Sequence, residues 1–276
     1  MSFPLIQAAE LHDALASDHP PLVLDCRFRL MDPGEGHALW RQGHIPGSHY
    51  LSLDEDLSAR QGGGRHPLPS KMAFSATLRR LGLSPERPVV VLDDMGGQLA
   101  AARAWWMLAH WAGHPAVRLL DGGLAAWTAS GGVLQSGDVP QPEPSAWQPL
   151  FNDAGLIALD DVAQSTALKV DARAGERFRG EVEPLDPRPG HIPGAVNRPC
   201  SENLVDGCFK EPAQLDRELP VADEVIAYCG SGVTACHNLL AYEVAGRPLP
   251  RLYVGSWSEW SSDPARPAEL GEPGHS

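Results

Sequence analysis

No stretch of this 276-residue chain approaches the ~20 consecutive apolar residues that a membrane-spanning helix needs. The stretch from Met1 to Leu15 is polar and short of apolar length, which predicts no signal peptide and a cytoplasmic protein. Cysteine is scarce. There are five, an odd number, with no CxxC pair and no His-rich zinc pattern, so free thiols in a reducing compartment are expected. Positive charge is also outnumbered. The 22 Lys and Arg face 35 Asp and Glu, and the net charge of −13 argues against nucleic acid or an anionic membrane as the main partner. A small anionic substrate stays allowed, because a local group of arginines and N–H donors can outweigh a distant field. What remains is an ordinary soluble composition, 43% hydrophobic and 21% charged, enough for one large domain or two of usual size.

The chain repeats itself. Gly43-His44-Ile45-Pro46-Gly47 returns as Gly190-His191-Ile192-Pro193-Gly194, and Asp25-Cys26-Arg27 returns as Asp171-Ala172-Arg173. Asp121-Gly122-Gly123-Leu124-Ala125-Ala126-Trp127 is echoed by Val254-Gly255-Ser256-Trp257-Ser258-Glu259-Trp260. Shared signatures in one order predict two copies of one domain. Between them, Pro140, Pro142 and Pro144 favour an extended linker. The expected organisation is therefore a first domain over 1–134, a Pro-rich linker over 135–150 and a second domain over 151–276. Leu22 to Leu24, Val89 to Leu92 and Val117 to Leu120 read as buried strands; Met72 to Leu81 and Leu99 to Trp111 read as helices. Short apolar strands alternating with helices predict an α/β fold, a parallel sheet with helices on both faces in each half. Sites in such sheets form beyond the carboxyl ends of the strands.

One such end carries a cysteine. The apolar run Val225-Ile226-Ala227-Tyr228 leads into Cys229-Gly230-Ser231-Gly232-Val233-Thr234, and a helix-compatible run starts at Ala235. A loop of small residues can curl its N–H groups around one point, and the positive helix end favours an anion there. A thiol so placed ionises more readily than a free one, which predicts a nucleophile at Cys229. Cys26, inside an apolar run, reads instead as a small buried hydrophobe. Cys236 lies seven residues beyond Cys229. Two helical turns between them would separate the pair by ~10 Å, too far for a disulfide. Phosphatases and arsenate reductases of this fold need an arginine six positions after the cysteine; Ala235 stands there, which removes that reading.

These paired motifs and the loop Cys229-Gly230-Ser231-Gly232-Val233-Thr234-Ala235 resemble the two-domain rhodanese family over nearly the whole chain. Within it, the loop is similar to that of the 3-mercaptopyruvate branch, whereas the thiosulfate branch tends to carry basic residues where Gly230 and Ser231 stand. The resemblance implies two tandem rhodanese-like domains. It implies that the Cys229 thiolate takes sulfur from mercaptopyruvate as a persulfide, releasing pyruvate. A thiol acceptor such as thioredoxin or a low-molecular-weight thiol, or cyanide, then removes it, with no metal or organic cofactor. It gives Arg177 the donor carboxylate and makes Arg188 the candidate second arginine, although the spacing around Arg188 differs from the family pattern. It assigns the loop residues Gly230, Gly232, Val233 and Thr234 to the substrate. Ser231, His66 and Asp54 match a Ser-His-Asp relay that would handle a proton. Asp93 aligns with Cys229, so the first half is expected to be inactive. His44 and His191 read as turn residues, because both halves carry them and only one half has a nucleophile; Trp257 and Trp260 read as core. Alternatives are a thiosulfate:cyanide sulfurtransferase and a persulfide carrier loaded by another protein.

Overall fold

The computed structural model describes residues 3–272, so Met1 and Ser2 of the N-terminal stretch read above lie outside it. The chain divides into two compact units. Of the described residues, the first comprises those up to 59 with 69–152 and 206–209; the second comprises 60–68, 153–205 and those from 210 on. The short segment 60–68 thus belongs with the second unit although the chain on both sides of it belongs to the first.

The first unit holds five parallel strands: β1 (Leu5–Ile6), β2 (Leu22–Asp25), β3 (His49–Tyr50), β4 (Val89–Leu92) and β5 (Val117–Leu120). Their order across the sheet is β1-β5-β4-β2-β3. Every residue of β2 and β4 is buried, as continuous apolar runs in a parallel sheet require. Ile6, Leu11, Val23, Val90, Leu120 and Trp127 are among the residues packing one core. The helix expected over 72–81 runs Lys71–Arg80, with Ser70 capping its first turn by accepting from the Ala73 N–H at 3.1 Å. The helix expected over 99–111 is α-helical only from Ala100 to Trp106. Beyond that the Ala112 N–H reaches back to the Met107 carbonyl, five residues away, and the last turn widens into a π-turn.

The second unit holds β6 (Leu168–Asp171), β7 (Ala195–Asn197), the two-residue strand β8 (Leu204–Val205), β10 (Val225–Tyr228) and β11 (Arg251–Leu252); the two-residue strand β9 (Cys208–Phe209) is counted with the first unit. The main sheet, also parallel, has the order β11-β10-β6-β7, with Tyr228 opposite Asp171. Phe178, Ile226, Tyr228, Trp257 and Trp260 lie in its core, so both tryptophans pack as expected.

The repeated motifs do the same job in both units. Arg27 donates to the Asp25 carboxylate and to the Gly43 carbonyl; Arg173 donates to Asp171 and to the Gly190 carbonyl. Each Asp-x-Arg therefore ties a central strand end to its Gly-His-Ile-Pro-Gly turn. The histidines complete those turns: His44 Nδ1 lies 2.7 Å from the Trp40 carbonyl, and His191 Nδ1 lies 2.8 Å from that of Phe178. Among the described residues no helix is long and apolar enough to cross a membrane. Nor does any group of three or more His, Cys, Asp or Glu there form a metal site.

Candidate active site

β10 ends at Tyr228 and, after a loop of six residues, the helix Ala235–Val244 begins. Cys229, 2% exposed, is the first residue of the connecting loop. Gly232 turns the loop at φ +74°, and a Cβ there would sit 2.4 Å from the Val254 carbonyl oxygen, so only glycine fits. The loop carbonyls point away from the turn's interior. Those of Cys229 and Gly230 accept from the N–H groups of Trp257 and Ser258, both at 2.9 Å. Those of Val233 and Thr234 accept from Cys236 and His237, both at 3.1 Å. No described residue accepts from the N–H of Gly230, Ser231, Val233 or Thr234. Those N–H groups precede a helix N-terminus, an arrangement that favours an anion.

Ser256 holds the loop's first residue. Its Oγ accepts from the Cys229 N–H at 3.1 Å and donates to the Tyr253 carbonyl at 2.9 Å. The residue is fully buried at φ +54°, a conformation that costs a non-glycine residue about 1–3 kcal/mol. Sequence reading missed Ser256. Its only visible signal was its place in the repeated Gly-x-x-x-x-Trp segment.

The other thiols are not poised for chemistry. Burial pushes Cys26 well up, and Cys208 less so. Burial first, and then the neighbouring Cys229, push Cys200 up to about 12. Cys236 turns its Sγ to the Gly232 carbonyl at 3.4 Å. None of the five cysteines is in a disulfide.

His66 and Ser231 meet. Their Nδ1 and Oγ share a hydrogen bond of 2.8 Å, and both residues are buried. A histidine in a Gly- and Pro-rich loop would ordinarily be exposed; here the glycines bring it in. A Cβ on Gly64 would strike the Gly255 carbonyl at 2.5 Å, and one on Gly63 would strike the Glu259 carboxylate. The Arg65 N–H then donates to Ser258 Oγ at 3.0 Å. Asp54 belongs to the first unit, where burial, and secondarily Glu55, raise its carboxyl above the ordinary value.

Arg177 stands beside the loop. A Cβ on Gly230 would lie 3.4 Å and 3.6 Å from its Nη1 and Nη2. Arg188 does not join it, against expectation. Its Nε donates to the Ser261 carbonyl, its Nη1 to that of Arg266 and its Nη2 to that of Asp263, at 2.8–3.0 Å. Those carbonyls close the turn after the helix Ser256–Trp260 and leave the guanidinium committed. A different arginine approaches the loop instead: Arg65 Nη2 lies 3.1 Å from the same Cβ position on Gly230. Nothing in the sequence marked Arg65, because a long excursion of chain separates it from Gly230.

Two parallel α/β units, one with a cysteine at the head of the loop between a strand and a helix, set the class of protein to compare with. The rhodanese-like domain model matches residues 7–130 and 158–263, and the chain belongs to the rhodanese family. A Pseudomonas aeruginosa chain named a probable 3-mercaptopyruvate sulfurtransferase is 47% identical over 287 residues, covering 99% of this chain and 100% of that one. A Mycobacterium tuberculosis relative that carries the name of a thiosulfate sulfurtransferase is 43% identical, covering 97% of each. Among solved structures, a 3-mercaptopyruvate sulfotransferase from Escherichia coli superposes with a TM-score of 0.80 at 32% identity, covering 94% of this chain and 100% of that one.

Proposed function

We propose that this chain is a 3-mercaptopyruvate sulfurtransferase working through a Cys229 persulfide. The observation that carries the reading is the Arg177 guanidinium beside Gly230, one residue from the thiol. It suits a donor whose carboxylate lies several bonds from the transferred sulfur. The Cys229 thiolate attacks the mercapto sulfur, the carbon–sulfur bond breaks, and its electron pair leaves as the pyruvate enolate. A proton delivered to the enolate carbon completes pyruvate. The hydrogen-bonded Ser231–His66 pair is suited to handling that proton, and the family resemblance gives Asp54 the part of orienting His66. Gly230, Gly232, Val233 and Thr234 frame the donor, with N–H groups at Gly230, Val233 and Thr234 available to its developing charge. A thiol acceptor then attacks the outer sulfur and restores the Cys229 thiolate. The reading needs no cofactor, and its partners are a small anionic donor and a thiol such as thioredoxin or a low-molecular-weight thiol.

Thiosulfate is the second reading, favoured by the two guanidiniums at Gly230 and by the name of the mycobacterial relative. Thiosulfate carries two charges close to its transferred sulfur. Glu183 and Asp186 offset the two arginines, so the loop offers little net charge to a dianion. The expected kcat/KM therefore favours mercaptopyruvate over thiosulfate by more than about tenfold, roughly 1.4 kcal/mol in transition-state binding. Steady-state assays with each donor measure this ratio. Intact-mass analysis after donor treatment should show one added sulfur atom on the wild type and none on Cys229→Ser, while Cys26→Ser and Cys236→Ser keep most of the activity. Equal turnover of both donors overturns the donor choice, and a persulfide on another cysteine overturns the nucleophile.

A further inference from the structure

Besides its approach to Gly230, Arg65 lines a cavity of about 610 Å³ built wholly from the second unit. One residue thus belongs both to the cavity wall and to the surroundings of the cysteine loop. The volume suits a ligand the size of a small peptide. The wall mixes three chemistries. Arg266 supplies a positive group: its Nη2 donates to Asp160 at 2.9 Å, while its buried Nε has no hydrogen-bond partner among the described residues, with Asp263 Oδ2 3.7 Å away. Glu259 and Asp263 supply carboxylates. Ser258 and Ser262 add lone pairs, because their hydroxyl protons go to the carbonyls of Gly255 and Glu259, at 3.0 Å and 2.7 Å. Gly62, Gly63 and Gly64 contribute bare backbone, and the N–H groups of Gly63 and Gly64 meet no acceptor among the described residues. A ligand with charge of one sign would leave part of this wall without a partner. A carboxylate suits Arg266, an ammonium suits the acidic and hydroxyl oxygens, and a peptide group suits the glycine edge.

We propose that this cavity seats the sulfur acceptor, and that the acceptor is a small thiol built from amino acids, carrying a free ammonium and a free carboxylate. The assignment rests on the sulfurtransferase reading and gives its second half-reaction a binding site. The thiolate of the seated acceptor attacks the outer sulfur of the Cys229 persulfide. The sulfur–sulfur bond breaks, its electron pair returns to Cys229 as the thiolate, and the acceptor leaves as a persulfide that keeps the outer sulfur's proton.

The test discharges the persulfide of the full chain with two thiols. The protein is loaded from mercaptopyruvate, freed of donor, and mixed with glutathione or with 2-mercaptoethanol, which has the thiol without the charges. Intact mass follows the loss of the added sulfur. In the wild type the discharge rate should saturate with glutathione and rise linearly with 2-mercaptoethanol. Arg266→Gln should slow discharge by subsaturating glutathione roughly fivefold or more and leave 2-mercaptoethanol within about twofold. Arg266→Lys, which keeps the charge without the fork, should fall between. A linear dependence on glutathione, equal losses with both thiols, or an unchanged glutathione rate overturns the assignment and leaves Arg266 a structural partner of Asp160 and Trp260. If the chain takes no sulfur from mercaptopyruvate, the proposed function fails first. The cavity is then read separately, by titration calorimetry with S-methylglutathione, which keeps the charges and cannot accept sulfur. Binding to the wild type that is lost in Arg266→Gln supports the site; no binding, or equal binding to both, overturns it.

Discussion

Arg177 and Arg188 show what distinguishes a binding side chain from a structural one. Both are arginines in the same stretch of chain, and both are partly buried. Arg188 donates to backbone carbonyls from all three nitrogens, so nothing is left for a ligand. Arg177 donates through Nη2 alone and keeps Nη1 toward Gly230. Arg177→Ala should therefore chiefly raise KM for mercaptopyruvate, with kcat less affected. A hydrogen bond to a charged group is worth roughly 1.5–3 kcal/mol, so the increase should be about ten- to a hundredfold. Initial-rate kinetics over a range of donor concentrations settle it, and an unchanged KM removes Arg177 from the donor site. The carbonyl cage of Arg188 was not legible in the sequence, because carbonyls leave no mark in residue identity. Arg65 was hidden for a related reason: its partners, Asp186 and Gly230, are joined to it by the fold alone.

The elements were easier to read than their ends. Short apolar runs marked β2 up to Leu24, β4 throughout and β5 despite the half-buried Arg118, since burial on both faces of a parallel sheet favours them. The strand–loop–helix around Cys229 was legible because its apolar run stops where the glycines begin. The end of the helix at Trp106 was not, since Met107 to Trp111 keep an apolar pattern while the backbone widens. The run Gly62-Gly63-Gly64 has no side chains from which a pattern could be read. Its glycines are the contact that lets segment 60–68 press on the 255–259 turn and place His66 at Ser231. If loop and turn deliver a working Ser–His pair, its members act as one unit. His66→Ala combined with Ser231→Ala should then cost little more in kcat than either change alone. Losses that multiply would assign the two residues separate tasks.

At the scale of the molecule, the duplicated loops meet one demand in two ways. In the first unit the loop after β4 begins with Asp93, whose Oδ1 accepts from the N–H groups of Met95 at 2.9 Å and Gly97 at 2.8 Å. Burial raises this carboxyl above 3.8, and its Oδ2 has no hydrogen-bond partner among the described residues. The folded state thus holds the proton more tightly than the unfolded chain. Asp93 adds stability that is fully present below its unfolded value and is lost as pH rises through its folded value. Asp93→Asn should flatten that fall. Urea midpoints for both proteins from about pH 4 to about pH 7 isolate it, because the other raised carboxyls, Asp25 and Asp54, are common to the two. Parallel curves would show that Asp93 does not carry the slope.

A carboxylate built into the chain at a ring of N–H groups meets them without the translational and rotational entropy cost that a dissolved solute bears. The loop at Asp93 is therefore permanently occupied, whatever the medium contains. The loop at Cys229 carries a thiol in that place and leaves the N–H groups of Gly230, Ser231, Val233 and Thr234 without an acceptor among the described residues, so on the proposed function its occupancy follows the donor in solution. One polypeptide thus carries a deaf copy and a listening copy of the same receptor, and a single side chain, carboxylate or thiol, decides which is which.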